Sequence, residues 1–206
     1  TDEVETNSIT PQINQLLVKA GQTFKTRNWN ETIEYCLQAQ NDQAYDKALN
    51  EMLYLSAIND ESWDIAIQVQ RDKTAELLRG DKYAEASDAY ATLALFYSLA
   101  GNKSKAEFTR KKYNQLQQRY GLNNDPVRAY GKLAQILLDG ENAERARDLY
   151  KQAAALYADS GQIAKQCNAL QQASAILYAE QNIPVAALKL LDKALALDLS
   201  DDYIEL

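Results

Sequence analysis

Between Tyr130 and Ala153 the chain spells one complete pair of helices. Tyr130, Leu133, Ala134, Leu137 and Leu138 recur at steps of three and four, so they share one face of a helix, and that face must be buried. Asp125 and Pro126 mark its start: the carboxylate accepts from free backbone N–H groups, and proline's fixed φ suits a first helical turn. Gly140 stops it. Asn142 then caps a second helix, in which Ala143, Ala146, Leu149, Tyr150 and Ala153 repeat the same spacing. So short a link makes the two helices antiparallel. Ala134 and Ala146 fall where such a pair crosses, and a bare methyl there lets the backbones approach where a leucine would hold them apart.

The pattern recurs along the chain. With Ala146 as anchor, the equivalent residues are Thr32, Ala66, Ala106 and Ala187, at intervals of 34, 40, 40 and 41. A capping residue precedes each of the first four anchors by four positions, as Asn28, Ser62, Asn102 and Asn142; in the fifth copy Asn182 stands one step earlier, before Pro184. Tryptophan opens two of the second helices, as Trp29 and Trp63.

The order Tyr130, Leu133, Ala134, Leu137, then Ala146, Tyr150 and Ala153 resembles the tetratricopeptide repeat, which places an aromatic, Leu, a small residue and an aromatic on one helix and Ala, aromatic, Ala on the next. Leu137 departs from that pattern, as do Gln70, Arg110 and Tyr113 in other copies, and a period near 40 implies longer helices than the family's usual 34. What the resemblance implies is an all-α fold, a right-handed α-solenoid of about five antiparallel hairpins.

Residues 1–9, polar and acidic, are expected to be a disordered lead-in, and 10–206 a single repeat domain. With Thr10 as the cap of the first, the ten expected helices cover about 11–26, 29–40, 44–58, 63–78, 82–100, 103–120, 126–139, 143–159, 163–181 and 184–197. The last should expose Leu188, Leu191 or Leu195 on an uncapped side. A start at Thr1 and a capping residue at Ser200 or Asp201 are read as the ends of a piece cut from a longer protein.

A net charge of −7 argues against a nucleic-acid partner, which calls for clustered lysine and arginine; the one basic run, Arg110, Lys111 and Lys112, reads as a solvated helix face. No stretch approaches the roughly 18 apolar residues of a membrane span, so no membrane insertion is expected and the location defaults to the cytoplasm. Without a single histidine the usual general base and zinc ligand are missing. The 29 acidic residues are scattered without a calcium-loop pattern, so no enzyme activity, cofactor or metal is expected. Arg79, Gly80 and Asp81 read as a turn in which the glycine ends one helix and the aspartate caps the next. Cys36 and Cys167 read as small core residues.

Function must then lie in surface shape. The resemblance implies a concave groove lined by the first helices of successive hairpins, which here would include Leu17, Val18, Met52, Leu55, Thr92, Leu95, Arg128, Lys132, Gln135, Gln172 and Ile176. Such a lining, aliphatic with a basic patch at Arg128 and Lys132, suits an amphipathic helix or a peptide with apolar anchors and one acidic end. The alternative for its aliphatic members is that they pack beneath neighbouring hairpins. The expected function is a scaffold, adaptor or chaperone with a protein or peptide partner; the second reading is a regulatory or sensor domain of a larger enzyme or DNA-binding protein. The oligomeric state stays open.

Overall fold

A computed structural model describes residues 11–41, 47–180 and 182–202, and these form ten helices with no strand among them. In order, α1 spans Pro11–Lys25, α2 Trp29–Asn41, α3 Lys47–Asn59, α4 Trp63–Arg79 and α5 Tyr83–Leu99. They are followed by α6 Lys103–Tyr120, α7 Arg128–Asp139, α8 Ala143–Asp159, α9 Ile163–Ala179 and α10 Pro184–Asp202. The expected lead-in, the cap at Thr10 and the expected starts and ends at positions 44 and 181 lie outside the described residues.

By packing, the chain separates into two compact units, Thr1–Val69 and Gln70–Leu206, with the division inside α4. In the first unit α1 packs on α2, α2 on α3 and α1 on α3. Ile13, Leu16, Ile33, Leu49, Leu53 and Ile58 fill its interior with the small residues Ala20, Cys36 and Ala57 between them. Burial pushes the Cys36 thiol up to about 11, so at neutral pH it is a protonated, apolar space-filler. In the second unit α5 packs on α6, α7 on α8, α8 on α9, α9 on α10, and α5 on α7. Phe96, Leu133 and Leu137 are buried there, as is a cluster of Ala153, Ala154, Tyr157, Cys167, Leu170 and Ala194.

All five anchors are buried: Ala66 and Ala146 at 0%, Thr32 at 0%, Ala106 at 1% and Ala187 at 3% exposure. Thr32 is tolerated at a methyl-sized site because its hydroxyl has local partners, Asn28 O at 2.8 Å and Thr23 Oγ1 at 2.9 Å. Small residues also bring α9 and α10 together. Ser174 Oγ donates to Ala187 O at 2.8 Å and Cys167 Sγ to Ala194 O at 3.3 Å, so two side chains of α9 reach the backbone of α10 directly.

The helices are joined by one repeated turn. Residues with positive φ stand at Arg27, Glu61, Asp81, Gly101, Gly121, Glu141, Gly161 and Asn182, so from Glu61 to Gly161 the chain reverses every 20 residues. At six of these turns two backbone bonds recur, as in Glu61 N to Ile58 O at 3.2 Å and Ser62 N to Ala57 O at 2.9 Å. They satisfy carbonyls that the ending helix would leave without partners. The next residue enters the following helix, where Asn102 Oδ1 accepts from Lys105 N and Asn142 Oδ1 from Arg145 N, as the capping pattern predicts.

Gly140 ends α7 as expected, with φ at −86°, and Glu141 after it takes the left-handed position at 66°. Two local expectations need correction. Asp81, at φ 55°, is the left-handed residue rather than a cap; Lys82 precedes α5, and the Asp81 carboxylate accepts from the Tyr83 hydroxyl. In both places the glycine sits one residue early. Finally, α7 begins at Arg128 rather than at Pro126, because Asp125, Pro126 and Val127 form a turn whose purpose lies in the site described next.

Candidate functional site

The residues expected to line a groove divide by burial and by unit. On α1 and α3, Val18 is 59% exposed, and Leu17, Met52 and Leu55 are half-buried. On the second unit's helices, Arg128, Lys132, Gln135 and Gln172 are exposed and Thr92 is half-buried. Leu95 and Ile176 are core residues, exposed by only 3% and 5%, and do not line a surface. For Leu95 the physical reason is packing from outside the helix, not its phase. Leu95 belongs to the run from Leu93 to Tyr97 on α5, which is buried on every side, so no face of that stretch remains for a ligand. The expected groove residues that remain at the surface of the second unit are therefore polar, and the apolar ones belong to α1 and α3.

Lys132 and Arg128 flank a polar clamp built around the segment between α6 and α7. Asn124 Nδ2 donates to Asp88 Oδ1 at 2.7 Å and to Ala84 O at 2.9 Å, and Lys132 Nζ meets Asp88 Oδ2 at 3.1 Å. Asn124 N donates to Gln117 Oε1, and the Tyr113 hydroxyl donates to Asn124 O. Tyr113, a bulky departure from the repeat pattern, is thus accommodated by the longer link that follows it. Asp125 turns the other way. Its carboxylate accepts from Val127 N at 3.0 Å, Tyr157 Oη at 3.0 Å and Lys165 Nζ at 2.7 Å. Two consecutive residues so tie the link to α5 on one side and to α8 and α9 on the other.

Electrostatics follow from those contacts. Burial alone would raise the Asp125 carboxyl, but the hydrogen bonds from Lys165, Val127 and Tyr157 together outweigh it and hold the group below its ordinary value. Tyr157 is pushed up to about 12, first by burial and then by its bond to Asp125, so it stays a donor. Because Lys132 shares Asp88, the expected basic patch is partly neutralised, leaving a mixed-charge surface rather than a cationic one. Of these clamp partners the sequence singles out Asp125, Lys132 and, as a departure from the repeat pattern, Tyr113; the signal that could have found the rest is the Asn123, Asn124, Asp125, Pro126 turn cluster, longer than the other links.

Two further surfaces stand out. On α10, Val185, Leu188, Leu191 and Leu195 are exposed by 65%, 58%, 42% and 57%, as expected for the final helix. On α6, Phe108 is 62% exposed. Among the described residues no group of three or more His, Cys, Asp or Glu is placed to hold a metal ion, and no helix is long and apolar enough to cross a membrane.

Buried anchor residues, consecutive helices packed together and a repeated turn define an all-α fold of tetratricopeptide-like helical hairpins. No protein-family profile matches the chain, and no curated protein sequence does. Among solved structures the chain is similar to the MamA protein, at 15% identity over 95% of this chain and 96% of that one, with a TM-score of 0.41. It is also similar to the nearly identical TPR-like repeats of a putative kinesin light chain from Podosopora anserina, at 13% identity, 94% and 99% coverage and a TM-score of 0.43. BtubC from P. vanneervenii is 14% identical, with 92% of this chain and 81% of that one covered and a TM-score of 0.41.

Proposed function

We propose that the chain is a protein-interaction scaffold, with residues 10–206 acting as one repeat domain, and that it receives a peptide or amphipathic helix on its first helices α1 and α3. The apolar surface of α1 and α3 supports this reading. Each of these helices already buries an inward row, Ile13, Leu16 and Ala20 on α1 and Leu49, Leu53 and Ala57 on α3. Val18, Leu17, Met52 and Leu55 are apolar residues beyond that row, on two helices that pack together. Covering apolar surface gains about 25 cal/mol per Å², and residues at steps of three and four on a partner helix are the usual means. In this reading the protein performs no reaction of its own.

The test is a selection from a random-peptide display library on the wild-type chain, followed by affinity measurement on Val18→Asp. Val18 is exposed, so this variant should fold normally by circular dichroism. Selected peptides should carry apolar residues at helical spacing and should lose about tenfold or more in affinity on the variant. Peptides that bind both proteins equally would place the partner on another surface.

A further inference from the structure

Helix α6 is an electrostatic exception. It carries Lys103, Lys105, Arg110, Lys111, Lys112 and Arg119 against the single acid Glu107, a net +5 in a chain of −7, leaving −12 for the remainder. Its inward side is set by the buried Ala106, Thr109 and Tyr113, and all six basic residues are exposed. A helix face kept only for solubility alternates its charges, so that each cation finds an acid one turn away. Here one such pair is formed, Lys111 with Glu107 at 3.3 Å, with 69% and 68% of the two side chains exposed, and so open pairs exchange readily for another acceptor.

The second observation is Phe108. It is an apolar ring, 62% exposed, with Lys105, Lys111 and Lys112 within one helical turn of it. Lys112 Nζ stands 5.5 Å from its centroid, so the ring's face is held beside positive charge rather than tucked against the core. Lys105 Nζ stands instead over the Tyr97 ring at 5.8 Å, so the cation held at the Phe108 face is Lys112. An exposed aromatic ring on a basic helix face offers two different contacts at once, apolar cover for the ring and salt links for the rim.

We propose that the outer face of α6 is a docking surface, separate from the face of α1 and α3, for an acidic segment of a partner protein that carries one aromatic or large apolar residue to cover Phe108. Charge selects an acidic occupant, and the limited extent of the patch selects a short one. Eighteen helical residues span about 27 Å. A polyanion or an anionic bilayer reaching beyond that length meets the acids of the helix packed on α6, Glu85 and Asp88 of α5, and charges within about 8 Å of each other at physiological salt are not screened apart. A short acidic peptide ends before it meets them.

The probe is a short fluorescent peptide of alternating Glu and Asp around a central Trp, titrated with the full chain and followed by anisotropy. It should bind, and binding should weaken about tenfold in the double variant Lys111→Glu, Lys112→Glu and in the independent Lys103→Glu, Lys105→Glu. Phe108→Ser should weaken it by several-fold, and so should replacing the central Trp of the peptide by Ser. Raising salt from about 50 mM to about 300 mM should remove most of the affinity of the wild type and little of what the charge-reversed variants retain. Val18→Asp should bind the probe as the wild type does, which keeps this surface distinguishable from that of α1 and α3. All the substituted side chains are exposed, and circular dichroism checks each fold. The proposal is overturned if the probe does not bind, if the charge-reversed variants bind it as well as the wild type, or if phosphatidylserine vesicles or an oligothymidine are held more tightly than the peptide.

Discussion

Lys165 Nζ lies 2.7 Å from Asp125 Oδ2, so the link between α6 and α7 is fastened to α9, 40 positions further along the chain. Asp125 is the more buried partner, with 14% of its side chain exposed against 51% for the lysine. The carboxylate also serves Val127 N and Tyr157 Oη, so its loss leaves more than one donor without a partner.

Asp125→Ala should therefore destabilise by about 1.5 to 3 kcal/mol at neutral pH, measured by urea unfolding. The effect has a definite pH dependence. The folded-state carboxyl titrates below its ordinary 3.8, so its contribution is complete above 3.8 and is lost as pH falls through the lower folded value. The gap between wild type and variant should narrow as the titration passes into acid. A gap that stays constant through that range would show that the carboxylate's charge is not what matters.

The turns predict a pair of opposite effects. At Gly101, where φ is 74°, an added side-chain carbon would meet no atom within 4 Å, so Gly101→Ala clashes with no neighbour and costs only backbone strain, about 1 kcal/mol. Glu141 holds the equivalent position at φ 66° with a side chain already present, so Glu141→Gly should stabilise by a few tenths to about 1 kcal/mol. Urea or thermal unfolding of both variants checks the signs. Two changes of the same sign would contradict the shared turn geometry.

At the helix crossings, Ala146→Leu should destabilise by about 1 to 3 kcal/mol, because the site is 0% exposed and admits no extra methylenes without moving α7 from α8. The exposed Lys151→Ala, on the same helix, should change stability by less than about 0.5 kcal/mol. Equal effects would mean that α8 is phased differently.

The fold was legible because its determinants are local. Asn102 and Asn142 mark helix starts, and anchors such as Ala106 and Ala146 mark crossings, each within a few residues of the other. The left-handed position was harder to read. Glycine is the usual signal for it, and at Gly80 and Gly140 the chain places that signal one residue before Asp81 and Glu141, which take the conformation instead. The candidate site was legible only in part. Leu95 and Val18 are both aliphatic residues on first helices, yet one is 3% and the other 59% exposed, since burial depends on what packs from outside the helix. The pairings of the clamp were not legible, though Asp125, Lys132 and Tyr113 were singled out one by one, because Asp88 meets Lys132 across 44 positions and Asn124 meets Ala84 across 40.

Hydrogen–deuterium exchange on the full chain, with and without a peptide from the display selection, tests the proposed scaffold role most directly. Bound peptide should slow exchange in α1 and α3, around Val18 and Met52, and leave α10 unchanged. Protection confined to α10, where Leu188 and Leu195 are exposed, or no peptide-dependent protection anywhere, would contradict it.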